Sequence, residues 1–410
     1  MLSKNTHRFM LWLLYLSCFI LTTAQAQTFD ITGNRRKVKI PFRLVRNMVV
    51  IKLSINDKGP FNFVMDTGVG LMIITDPSLV DTLKVNKNHV LKLRGFGEND
   101  AFDAYASPVL NIDIPGLTSF GINAAVMKTD QFGLSNYAGM PIHGLLGYEF
   151  FNNLAVKIDF GDSTMTVYRP RDTRRFAKGE QIPITIEDRK PYLETNVTMP
   201  GEVKKKVKLV VDLGAGHPLS LENIPPKAQL QKKCIHANLG VGFSGPINGF
   251  ISRINEIDLG KYKIKDVIAS FPQDDSVKKY LKVKRDGNLG LGLLKKFTVV
   301  FDYHGNAIYL KRGPNFKAPF EQDMSGLEYY ADGDNFKRII ISRVEPGSAG
   351  DKIGLEKNDE IVSINFKPIA SMSLEEVDDL FKSRDDRSLL LEVYHDKRYD
   401  NVIITLKRRI

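Results

Sequence analysis

The sequence predicts a mainly β protein, built as two pseudo-symmetric β lobes followed by a smaller C-terminal module. Three observations predict it. Runs of β-branched and aromatic residues recur along the chain, broken by Gly, Pro, Asn and Asp. Asp66-Thr67-Gly68 sits between two apolar runs, and a near-copy, Asp212-Leu213-Gly214, follows 146 residues later. Beyond about residue 320 the pattern changes to an Ile-rich strand, Gly-containing turns and one amphipathic helical stretch.

The elements follow in order. Lys4 and Arg8 precede an apolar stretch, Phe9 to Leu21, and Ala24-Gln25-Ala26 offers a small-x-small cleavage site. At about 13 residues the stretch is short for a bilayer span of ~20, so residues 1–26 read as a cleaved export signal rather than an anchor. Cys18, in Tyr15-Leu16-Ser17-Cys18, is a weak lipidation site and leaves with that signal. The first lobe is expected over 27–170, with strands at 37–43, 47–55, 61–66 and 71–75 and a hairpin turn at Asp57-Lys58-Gly59-Pro60. A charged linker covers 171–178, the second lobe 179–312, and a second linker 313–319. In the module at 320–410, Leu374, Val377, Leu380 and Phe381 recur at helical spacing behind Ser373 as N-cap.

The two lobes agree beyond the triplet. Gly95-Phe96-Gly97 follows the first Asp at nearly the distance at which Gly240-Val241-Gly242 follows the second, and both read as hairpin tips. Gly144-Leu145-Leu146-Gly147 begins 78 residues past Asp66, and Gly290-Leu291-Gly292 begins 78 past Asp212. Each half closes with a strand pair around a turn, through Asp159 in the first and Asp302 in the second, where turn formation accounts for both carboxylates. A duplication explains such register. Its chemical consequence is two carboxylates brought together. Like charges at about 3 Å resist double ionisation, so the pair would share one proton, activating water at one Asp and protonating a carbonyl oxygen from the other.

Composition bounds the alternatives. A chain of 410 residues with 43% hydrophobic residues supports two or three domains with real cores. The net charge of +11 includes Lys204-Lys205-Lys206, Lys232-Lys233 and Lys407-Arg408-Arg409, which read as solvated surface because no nucleic-acid motif accompanies them. Cys234 would be the only mature cysteine, beside Lys232, Lys233 and His236, and a solvated loop explains it better than a nucleophile. No Cys/His spacing suggests a metal site, and the proposed chemistry needs no cofactor.

The duplicated Asp-Thr-Gly with its glycine landmarks resembles the two-lobe, retropepsin-like aspartic peptidases, and the C-terminal module resembles a PDZ domain through Val344-x-Pro346-Gly347-Ser348-Ala349, Gly354-Leu355 and Asn358 to Asn365. The order is similar to that of exported aspartyl proteases of Bacteroidetes. The resemblance implies two β-barrel lobes with Asp66 and Asp212 as the catalytic pair. It implies that the tips at Gly95, Phe96 and Gly97 and at Gly240, Val241 and Gly242 are flaps over a bound peptide. It also implies a PDZ groove that takes a peptide by β-addition, with Gly326, Leu327 and Glu328 in the carboxylate-binding loop. Gly68 and Gly214 allow close backbone approach, and Thr67 can reach across to the opposite lobe. His217 reads as a polar cap or specificity contact, and Tyr105 as a flap aromatic.

Two departures stand out. Leu213 replaces the Thr or Ser of the class, and Val69 replaces its Ser or Ala, so each half lacks one member of the usual network. A lost hydrogen bond of this kind costs on the order of 1 kcal/mol. The expected function is aspartic endopeptidase; the alternative is a catalytically impaired peptide-binding or adaptor protein on the same fold. Two half-sites in one chain remove the need to dimerise, and the leader predicts export to the periplasm, the cell envelope or the medium.

Overall fold

The structure, a computed structural model, describes residues 28–93, 102–170, 179–223, 234–242, 245–273 and 281–410. The leader expected at 1–26, the linker expected at 171–178 and the hairpin tip expected at Gly95-Phe96-Gly97 lie outside the described residues. Within them the chain is mainly β, arranged in four sheets.

A six-stranded sheet joins the two halves. Its order is Glu180–Pro183, Ala307–Arg312, Phe297–Asp302, Ala155–Asp159, Thr164–Tyr168, Lys37–Pro41, three strands from each half. At the seam, Ala155–Asp159 runs antiparallel to Phe297–Asp302, and Lys157 faces Val300. Lys157 lies two residues before Asp159, and Val300 two before Asp302, so equivalent positions of the repeat meet each other. That self-pairing is what a pseudo-twofold axis through the seam requires. Alternate residues of these strands point into a common core, where Phe151 packs edge-on against Phe301 and stacks on Tyr303.

Above the seam each half builds its own sheet, of eleven strands in the first and eight in the second. The strands that lead into the two Asp motifs, Lys58–Met65 and Val203–Asp212, are interior in each. Each has a parallel neighbour: Gly144–Leu146 lies beside Phe63 to Met65, and Gly287–Gly290 beside Leu209 to Asp212. This register corrects the glycine alignment. Gly144-Leu145-Leu146-Gly147 corresponds to Gly287-Asn288-Leu289-Gly290, three residues earlier than the equal 78-residue spacing suggested. The reason is steric. A Cβ on Gly144 would lie 2.2 Å from the Ile73 carbonyl and one on Gly287 1.8 Å from that of Ser220, so both sites admit only hydrogen.

The first hairpin also differs from expectation. Its turn is Asn56-Asp57, both at positive φ, and Lys58-Gly59-Pro60 already belongs to the following strand. Asn and Asp tolerate the left-handed region that a two-residue hairpin needs.

The C-terminal module has a separate core from Met324 to Leu406 around Phe381. Its helix Leu374–Phe381 starts in a full capping box, with Ser373 accepting from the Glu376 N–H and Glu376 accepting from the Ser373 N–H. Among the described residues strand Leu327–Asp332 pairs with Arg338–Val344 alone, which leaves its other edge without a strand partner.

Phe151 is fully buried at the junction of both halves. Phe151→Ala should therefore lower unfolding free energy by about 3–5 kcal/mol, measured by the shift in urea midpoint at constant slope.

Candidate active site

Strand Lys58–Met65 ends at Asp66 and strand Val203–Asp212 ends on Asp212, so each carboxylate stands where its chain turns. The Asp66 N–H donates to the Leu146 carbonyl at 2.9 Å, tying the turn to the glycine strand beside it. The two turns face each other and interlock. A Cβ on Gly68 would lie 2.7 Å from both carboxylate oxygens of Asp212; one on Gly214 would lie 2.3 Å from Asp66 Oδ2. Each glycine is thus the floor of the other half's carboxylate. The two acids are near enough for the charge of Asp212 to act on Asp66.

Thr67 is buried and spans the halves. Its hydroxyl donates to the Val211 carbonyl at 2.6 Å and accepts from the Leu213 N–H at 2.9 Å. Leu213, fully buried, sends no hydroxyl back. The lock therefore has one polar arm, and the reciprocal arm is apolar packing.

The donors are unevenly shared. Asp212 accepts from the N–H groups of Gly214 and Ala215 on Oδ1, at 3.0 and 3.2 Å, and from Asn288 Nδ2 on Oδ2, at 2.9 Å. Asp66 accepts the Gly68 N–H, at 2.7 Å. Val69, at the position equivalent to Ala215, gives its N–H to the Asp66 carbonyl at 3.4 Å instead. Donors favour the ionised form of an acid, so the shared proton belongs on Asp66. Burial first, then the negative charge of Asp212, push the Asp66 carboxyl up to about 8.

The surroundings are apolar and basic. Tyr303 is buried near both acids, and among the described residues its hydroxyl has no hydrogen-bond partner. Lys190 is half-buried near the pair; burial lowers its pKa, Arg285 lowers it further, and the two acids oppose this. His217 is pushed down to about 4 by burial, so the ring is neutral above that pH, and among the described residues its Nε2 has no hydrogen-bond partner.

Two further cross-half contacts follow the pseudo-symmetry. In the first half the turn Arg46-Asn47, both at positive φ, extends Asn47 Nδ2 to the Gly216 carbonyl at 3.1 Å. In the second half the turn Asp188-Arg189, also at positive φ, extends Arg189 Nη1 to the Gly70 carbonyl at 3.2 Å. Gly70 and Gly216 are equivalent positions, each four residues past its Asp.

The other sequence-predicted residues fall as follows. Gly240, Val241 and Gly242 end the strand Ile235–Gly242, which pairs with Gly245–Leu259 as a hairpin arm with a bulge between Asn238 and Val241. Tyr105 lies on Phe102–Ala106, under the Lys128 ammonium at 5.3 Å from its ring. Asp159 and Asp302 accept from the N–H groups of Gly161 and Gly305, as turn formers do. Gly326 and Leu327 give their N–H groups to Asp323 Oδ1 and Ser325 Oγ, and Glu328 accepts from Asn238 of the second half. Cys234 is exposed. Sequence reading passed over Asn288, Asn47, Arg189 and Lys190; only Asn288 carried a signal, its place between Gly287 and Gly290.

Two family models match parts of the chain. Residues 51–150 match the family model for an aspartyl protease, and residues 340–394 match that for a PDZ domain. The chain thus carries an aspartyl protease domain and a C-terminal PDZ domain. No curated protein matches the sequence. Among solved structures, the photosystem II D1 C-terminal processing protease is 22% identical over 22% of this chain and 23% of its own, with a TM-score of 0.20. The chain spans under a quarter of that protein.

Two outcomes follow. Because Asp66 holds its proton up to about 8 in the fold and loses it near 4 when unfolded, folding takes up a proton between those values, and the site costs more stability as pH rises through that window. Asp66→Asn should remove this cost. Its melting temperature should exceed the parent's at pH 8, by an amount reflecting on the order of 1–3 kcal/mol, and match it at pH 4. Thr67→Val leaves the Leu213 N–H and Val211 carbonyl unsatisfied and should cost about 2–4 kcal/mol in chemical denaturation.

Proposed function

We propose that the protein is an aspartic endopeptidase of the two-lobe, retropepsin-like type, using Asp66 and Asp212 on one water. The observation that carries this reading is the interlock of the two turns, each carboxylate lying against the glycine of the other half. Asp212, with three N–H donors, is the base that takes a proton from water as it attacks the scissile carbonyl. Asp66 gives its proton to the carbonyl oxygen, and a tetrahedral diol forms. Asp212 then passes its proton to the leaving nitrogen while Asp66 takes one back from a diol hydroxyl, so that the C–N bond breaks as the carboxyl C=O re-forms and the pair returns to its starting state. Asn288 holds Asp212 in the orientation that accepts from water. An extended peptide lies in the cleft by strand-like pairing. The PDZ domain binds peptide segments, and the leader 1–26 directs export; among the described residues no helix is long and apolar enough to cross a membrane.

Leu213 favours one second reading, a protease fold that binds peptide without cutting it. Incubation of the protein with unfolded casein at pH 4–7, with and without pepstatin, separates the two. The endopeptidase predicts cleavage that either Asp66→Asn or Asp212→Asn reduces at least ~10³-fold, within the range by which catalytic groups act. Intact casein with retained peptide binding would establish the adaptor instead. Activity should also fall as pH rises through about 8, where Asp66 gives up its proton. Asn288→Leu should lower kcat about tenfold with little change in KM, since it touches the acid rather than the substrate.

A further inference from the structure

A PDZ domain takes an extended peptide as an added strand, between the free edge of one strand and the face of the neighbouring helix. Here those walls are Leu327–Asp332 and Leu374–Phe381. The groove between them already holds part of the first protease half. Arg46 Nη1 donates to the Tyr329 carbonyl at 3.1 Å, and Asn136 Nδ2 donates to the Ala331 carbonyl at 2.9 Å, so two edge acceptors of the strand are taken. From the helix side, Asp378 receives Arg46 through both oxygens at 3.2 Å, and Tyr329 Oη bonds the same carboxylate. The Arg46 side chain is 10% exposed and its guanidinium packs over the Tyr329 and Tyr137 rings. The short helix Leu134–Ala138 ends at Gly139, where a Cβ would lie 2.9 Å from Leu374 Cδ1 and 3.6 Å from the Ala331 Cβ. At the loop end, the Gly326 and Leu327 N–H groups are satisfied by Asp323 and Ser325.

The neighbour of Arg46 matters as much. Asn47 holds the Gly216 carbonyl beyond Asp212, and Lys295 Nζ fixes its Oδ1 at 2.7 Å. One two-residue turn therefore has one side chain in the PDZ groove and the next on the second catalytic loop.

We propose that the PDZ groove is an intramolecular clamp whose resident occupant is Arg46 with the segment Leu134 to Gly139, and that a peptide entering this groove displaces them and slackens the loop behind Asp212. Peptide and protease half compete for one strand edge, and peptide occupancy lowers activity. The coupling to activity rests on the endopeptidase reading; the competition does not.

The test uses the full chain and its Arg46→Ala and Asn136→Ala variants, the second touching only the strand edge. Amide exchange should quicken at least tenfold over 134–139 and 327–332 in Arg46→Ala, and less in Asn136→Ala. In an Asp212→Asn background, which prevents consumption of the probe, a pool of fluorescent random decapeptides with free carboxylates should bind the Arg46→Ala protein at least tenfold more tightly than the parent. Casein cleavage by Arg46→Ala should fall at least fivefold. Unchanged exchange, or equal peptide affinity, overturns the clamp. Quickened exchange with full cleavage overturns the coupling. If the parent itself leaves casein intact, the endopeptidase reading fails, and the exchange and affinity measurements still decide the clamp; if Arg46→Ala does not fold, Asn136→Ala decides it through the same two measurements.

Discussion

Two carboxylates sit on two glycines, each acid against the backbone of the other half. This contact governs the rest of the site. With a methyl group on Gly68 or Gly214 the acids would have to separate, because the Cβ would enter the space their oxygens fill. With the approach intact, the acids are close enough that one proton serves both. Like-charge repulsion in a poorly hydrated setting then stabilises a state, half acid and half base, that neither side chain would hold alone at neutral pH. The surrounding architecture serves to place those turns: the shared six-stranded sheet below, the parallel glycine strands beside, and Thr67 stitched across the axis.

Symmetry fixes where the acids lie, and departures from it divide their labour. Asp212 has the Ala215 N–H and Asn288, whereas Val69 withholds its N–H from Asp66 and Leu145 occupies the position of Asn288. Three donors against one is a sizeable imbalance for groups sharing a single proton. The same division appears in the paired turns. Both reach a glycine carbonyl on the opposite half, but Asn47 is also held by Lys295, while Arg189 approaches the buried Glu149 at 3.9 Å.

Much of this was legible in the sequence because it depends on local chemistry. The strand-to-turn motifs, the capping box at Ser373 and the aromatic closing pairs are written in neighbouring residues. The hairpin turn at Asn56-Asp57 was misplaced because a Gly-Pro pair is a stronger turn signal than it is a turn requirement. The glycine strand of the second half was misread by three residues because spacing counts chain length, and the second half makes the same connection with three fewer residues. Only packing pairs each glycine with its counterpart: a Cβ on Gly290, like one on Gly147, would strike a backbone carbonyl. Asn288 became visible once that register was known. Arg46 could not be read at all: nothing near it in sequence announces a carboxylate 332 residues away.

The shared sheet has a consequence for how such a molecule can change over time. Because both halves are one polypeptide, every substitution is made once. A homodimer with a catalytic twofold must accept each replacement on both sides of its axis, so a leucine in place of a threonine would strip both arms of the stitch together. Here Leu213 removes one and Thr67 keeps the other. Covalent continuity between the two halves thus frees the two flanks to specialise, one toward holding charge and the other toward holding a proton.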